Sequence, residues 1–112
     1  MPVRIVENKE NKTVTAFLSG EIDHHGAKKM REEIDKAIDE SLPSLLVLDF
    51  GEVSFMDSSG IGLVMGRYKK MRDLDGKVFI QNPSMHIKKV MRLAGLDKLA
   101  GMGDSSRKGV QA

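Results

Sequence analysis

The sequence predicts a single small α/β domain, a mixed sheet of about four strands with helices packed against it. Three observations carry that expectation. Residues 45–50, Leu-Leu-Val-Leu-Asp-Phe, form an almost unbroken apolar run with one late acid, the composition of a strand covered on both faces in a parallel sheet. Segments of strand-like and helix-like periodicity then alternate, as βαβ units require. A chain of 112 residues has room for one hydrophobic core.

In chain order, residues 3–7 and 13–19 are short and rich in β-branched side chains, and Asn8-Lys9-Glu10-Asn11 between them suits a hairpin connection. Gly20 is expected to break the second strand. Over residues 26–40, Ala27, Met30, Ile34, Ala37 and Ile38 recur at helical spacing, charged residues fill the other face, and Pro43 closes the helix. The apolar strand 45–50 follows, expected to be central, with a loop over 51–59. Ile61, Val64, Met65, Tyr68 and Met71 mark a second amphipathic helix ending near Asp75-Gly76, and residues 77–81 supply another strand. Asn82 reads as a helix cap with Pro83 in the first turn; Ile87, Val90, Met91 and Ala94 line the third helix, and Gly95 is its C-cap. Residues 96–99 suit one more helical turn. The domain is expected to span residues 1–100, leaving 101–112, with three glycines and two serines, as a flexible tail.

Right-handed crossovers would set the strand after each helix parallel to its predecessor, and sites in such sheets lie beyond the carboxyl ends of the strands. The loops 20–26 and 51–59 are placed there, so Asp23 and Ser58 are expected to share one edge of the molecule.

Composition narrows the function. Lys and Arg number 18 against 16 Asp and Glu, and the formal charge of +2 is too small to argue for nucleic acid or an anionic membrane. The basic clusters Lys28-Lys29, 69–72 and Lys88-Lys89 fall in helical patterns with an apolar opposite side and read as solvated helix faces. The absence of cysteine excludes disulfides, thiolate metal sites and cysteine nucleophiles, and suits the cytosol. No apolar stretch approaches the roughly 18 residues of a membrane span, and the N-terminus lacks a signal-peptide core. A soluble, cytoplasmic chain, monomeric when free, is the expectation.

The tetrad Asp57-Ser58-Ser59-Gly60 opens the second helix straight after the central strand. A hydroxyl there lies at a helix N-terminus, where backbone N–H groups favour negative charge, so a phosphate on it would act as a switch. Spacing alone favours Ser58 or Ser59 as a plain helix cap, the commoner role of such a serine. Gly60-Ile61-Gly62 belongs to no P-loop, since Gly-x-x-x-x-Gly-Lys-Ser/Thr is missing throughout, and the chain is not expected to hydrolyse ATP. Small residues at 60 and 62 let another backbone come close, within the fold or from a partner. His24 and His25 are adjacent and point apart on any regular element, so no metal site and no cofactor is expected. A hydrolase assembled from Ser58, His25 and Asp57 would lack the Gly-x-Ser-x-Gly elbow. The eight methionines sit mainly at apolar helical positions as flexible core filling, while Met56, beside the serine loop, is a candidate exposed contact.

Residues 19–25, Ser-Gly-Glu-Ile-Asp-His-His, then 55–62, Phe-Met-Asp-Ser-Ser-Gly-Ile-Gly, and Gly66-Arg67-Tyr68-Lys69 together resemble the anti-sigma factor antagonists of the STAS domain family, in particular its sporulation members directed at the anti-sigma-F factor. The similarity runs from about residue 3 to Leu99, and two separated motifs are far more specific than either alone. The resemblance implies a small α/β regulator of transcription. It would bind an anti-sigma factor that is also a serine kinase and so free a sigma factor. The kinase, which binds the ATP, would phosphorylate Ser58, and a serine phosphatase would restore it. Asp23 matches the family acid near the phosphorylation loop, and His24, Met56, Asp57, Ser59, Gly60 and Gly62 are the expected partner-binding residues around it. The family usually adds a strand and a helix after the segment matching Ala94-Gly95-Leu96, whereas this chain offers only its Gly- and Ser-containing tail. The alternative function on the same fold is an unphosphorylated STAS scaffold or accessory subunit of a transporter or signalling assembly.

Overall fold

The computed structural model of the chain describes residues 2–104. In chain order it contains β1 (Val3–Asn8), β2 (Thr13–Ile22), α1 (His24–Ser41), β3 (Leu45–Met56), α2 (Ser58–Asp73), β4 (Lys77–Gln81), α3 (Met85–Leu93), a 3-10 turn (Leu96–Lys98) and β5 (Gly101–Gly103). The strands lie in the spatial order β1-β2-β3-β4-β5. The β1–β2 hairpin is antiparallel, and every later pairing is parallel. Because each crossover steps in the same direction across the sheet, right-handedness puts α1, α2 and α3 on one face.

Alternation along the strands decides what that face buries. Val14, Ala16 and Leu18 of β2, Leu46, Leu48 and Phe50 of β3, and Val78 and Ile80 of β4 are buried. Met30, Ile34 and Ile38 of α1, Leu63, Val64 and Met71 of α2, and Ile87 and Met91 of α3 close over them. In α2 the buried stripe is turned from its expected course. Leu63 and Arg67 lie on its buried side, while Ile61, Met65 and Tyr68 are only half-buried.

β3 is twice as long as its apolar run suggested, continuing through the expected loop to Met56. β2 matches it by passing through Gly20 instead of ending there. Gly20 has a φ of 80°, and the register slips on either side of it, each time with one extra residue on β3, so the bulges belong to β3 and the glycine lets β2 follow them. In consequence α1 begins at His24, two residues earlier than its apolar spacing indicated.

The late acid of β3 turns out to be structural. Asp49, buried, accepts from the Gly51 N–H at 2.8 Å, from Gln81 Nε2 at 2.8 Å and from Asn82 Nδ2 at 2.9 Å. Its two oxygens thereby tie β3 to the end of β4, satisfying a carboxylate that would otherwise be costly to bury. Asn82 is not the cap of α3. It adopts a left-handed φ of 55°, and its N–H donates to Gly103 O at 2.8 Å, while Ser84 Oγ caps the helix by accepting from Ile87 N–H at 3.1 Å. Gly103 belongs to a fifth strand, one more than the about four expected, formed by residues 101–103 that were expected to open the tail. Gly101 and Gly103 flank Phe79, whose ring occupies the space a Cβ at either position would need. The proposed flexible tail otherwise falls on residues 105–112, outside the described part.

An ion pair locks the two long helices together. Arg67 Nε lies 2.9 Å from Asp35 Oδ1, and the arginine side chain is 8 % exposed. Burial pulls the guanidinium below its ordinary value, Asp35 pulls it back up, and Arg31 adds to the lowering. It stays charged, since an arginine gives up its proton only far above neutrality. Replacing Asp35 by Ala leaves that charge buried without its partner and should cost about 3 kcal/mol in urea unfolding, whereas Arg67→Met, apolar and of similar length, should cost far less.

Candidate functional site

The parallel register of β2 and β3 ends with Ile22 opposite Met56, and Asp57 N–H donates to Ile22 O at 3.2 Å. One residue past each strand, a helix begins. Asp23 and Asp57 fill these single-residue junctions with nearly the same backbone, φ −103° and ψ −169° against φ −101° and ψ −165°. Each carboxylate caps its own helix, Asp23 accepting from Gly26 N–H and Asp57 from Ser59 N–H, both at 2.8 Å. An aspartate suits the position doubly, as a hydrogen-bond acceptor for orphan N–H groups and as a negative charge at the positive end of the helix dipole.

This strand–aspartate–helix unit, repeated side by side, puts the first residue of each helix at the same edge. His24 opens α1 and Ser58 opens α2, and both side chains are exposed. Ser58 is therefore not the cap. That task falls to Asp57, and the Ser58 hydroxyl, exposed, makes no hydrogen bond among the described residues. Ser59 is half-buried, its backbone N–H taken by Asp57.

The two glycines divide between the alternatives left open for them. Gly60 is buried, and a Cβ there would fall within the Met56 side chain and touch Ile22. Gly62 is exposed, and a Cβ there would meet nothing within 4 Å. Met56 departs from expectation: it is 6 % exposed, packed beneath Gly60, and supports the loop from inside where an outward contact was anticipated. The exposed apolar side chain is its neighbour Phe55, 51 % exposed, because consecutive strand residues point to opposite faces.

From sequence, Arg67 stood only within the motif 66–69 and had no structural role assigned to it. The signal was present: a basic residue in step with Leu63 and Met71 on an apolar stripe must find an acid or an opening to solvent. Among the described residues no group of acids and histidines could hold a metal ion, and no helix is long and apolar enough to cross a membrane. His25 and Asp57 make no hydrogen bond to Ser58.

A one-layer helical cover on a five-stranded mixed sheet, with an exposed serine opening the helix after the central strand, defines a small α/β domain. The chain belongs to the STAS domain family, whose model matches residues 4–108. It is 36 % identical over 91 residues to an anti-sigma F factor antagonist of Lysinibacillus sphaericus, a match covering 81 % of this chain and 78 % of that one. Among solved structures it is similar to the anti-sigma factor antagonist SpoIIAA in its unphosphorylated form, with a TM-score of 0.80, 33 % identity and coverage of 96 % of this chain and 91 % of the other. The Bacillus cell fate determinant SpoIIAA in the phosphorylated form matches with a TM-score of 0.74 at the same 33 % identity, over 96 % of this chain and 95 % of that one.

The contrast between the glycines is measurable by thermal or urea unfolding. Gly60→Ala should destabilise by about 2 kcal/mol through overpacking against Met56, while Gly62→Ala should stabilise by about 0.8 kcal/mol through helix propensity. Asp57→Ala should lose about 1 kcal/mol with its cap.

Proposed function

We propose that this chain is an anti-sigma factor antagonist switched by a phosphate on Ser58. In the unphosphorylated form it binds an anti-sigma factor that is also a serine kinase, and the sigma factor is released. The partner binds ATP and phosphorylates Ser58, and a serine phosphatase reverses the step. The setting is the cytoplasm, and the antagonist itself catalyses nothing. The observation that carries the reading is the exposed Ser58 hydroxyl, freed from capping by Asp57 and held at the edge where both helices begin.

Docking would use the exposed members of that edge, His24, Ser58 and Gly62, with the half-buried Asp23 and Ser59 between them. Asp57 and Gly60 serve the surface from beneath, one by capping α2 and the other by letting it sit down on Met56. A phosphate adds about −1.5 to −2 charge at this point. One added charge about 6 Å from an acid on the partner, at an effective dielectric near 20, costs about 2.8 kcal/mol. A hundredfold loss of affinity needs about 2.7 kcal/mol, so a single phosphate is enough to break the complex.

Incubation with the purified kinase and ATP, followed by peptide mass spectrometry, should find phosphate on Ser58, and Ser58→Ala should abolish it. Ser58→Glu should bind the kinase about a hundredfold more weakly by calorimetry. Wild-type affinity in that variant, or phosphate only on Ser59, Ser105 or Ser106, would exclude the switch. Recovery of membrane-transport components and no ATP-binding kinase in a pull-down would favour the accessory-subunit alternative instead.

A further inference from the structure

Between α1 and α2 runs a groove of about 530 Å³, lined from His24 and Ser59 near the helix starts to Arg31 and Arg67 further along. Its α2 wall is bare. Gly62 and Gly66 stand one helical turn apart along it, and a Cβ on either would meet no atom within 4 Å. Its α1 wall carries the exposed Lys28 and Arg31, and neither has an ion-pair partner among the described residues. No carboxylate lines it. Arg67 closes one side, its charge set against Asp35.

These features do different things. The exposed Gly62 and the half-buried Gly66, in register on one side of α2, weaken the helix they sit in, and what they provide is room for a second backbone to approach closely. Two unpaired cations on the facing wall set the sign of what approaches. Lys28 and Arg31, one turn apart on α1, run parallel to the glycine wall, so a rod-like element fits along the groove with its charges toward α1.

Resting on the functional reading above, we propose that the α1/α2 groove is the socket for an acidic helix of the protein partner, seated against Gly62 and Gly66 with its carboxylates on Lys28 and Arg31. The groove thereby accounts for the switch. A partner acid drawn to this socket is brought past Ser59, beside the oxygen that carries the phosphate, and the dianion repels the same carboxylates that the cations attract. Lys28 and Arg31 are specificity-determining positions, and Gly66 joins Gly62 in making the socket's wall.

The test is isothermal titration of the purified anti-sigma kinase, with ADP bound, into the full chain and its variants. Lys28→Glu combined with Arg31→Glu should weaken binding about thirtyfold and flatten its dependence on salt. Lys89→Glu combined with Lys98→Glu, the same charge change on exposed residues of α3 and the 3-10 turn, should stay within about threefold. Gly66→Leu should weaken binding while leaving Tm the same or higher, because its side chain fills the socket and not the core. Wild-type affinity in the Lys28/Arg31 double variant, or an equal loss in the control, overturns the socket. If Ser58→Glu still fails to bind in that case, the phosphorylation switch stands without it. Failure of the unmodified chain to bind the kinase overturns both.

Discussion

The parallel pairing of β2 with β3, held all the way to Ile22 against Met56, is the constraint on which the rest of the edge depends. Strands of unequal length would end at different levels and stagger the two helices that follow them. Two register slips beside Gly20, each taking up one extra residue of β3, absorb the mismatch, so both strands stop together and one aspartate turns each into a helix. The two helix N-termini therefore lie side by side, concentrating partial positive charge where Ser58 is exposed.

That arrangement separates two jobs that one serine would otherwise combine. A capping hydroxyl is committed to a backbone N–H, and phosphorylating it would cost the helix its cap. Here Asp57 does the capping, so chemistry at Ser58 can change the surface charge without unfolding the first turn of α2. The switch proposed above would then be an electrostatic one, acting on whatever docks, with no rearrangement of the fold required.

Behind the edge, the helices are held by Arg67 and Asp35 and the loop by Gly60 over Met56. Both contacts are inward. They fix the distance between the walls of the α1/α2 groove and the height of α2 over the sheet. Preorganisation of this kind reduces what a partner must spend on ordering the surface it binds.

Periodicity by itself determined the α/β class, the three helices, the strand order along the chain and the Asp57-Ser58 start of α2, because the repeat of apolar residues reports which side of an element meets the core. The motif pair 19–25 and 55–62 likewise pointed to the family, whose model matches residues 4–108. Tertiary structure alone decided the rest. β5 has glycines where a strand would show β-branched residues, and it exists because Phe79 and Asn82 of the neighbouring strand end receive it. The burial of Met56, the exposure of Phe55 and the inward turn of Arg67 follow from pairing partners and helix rotation, which act between residues distant in the chain. Nearest-neighbour patterns carry no record of them.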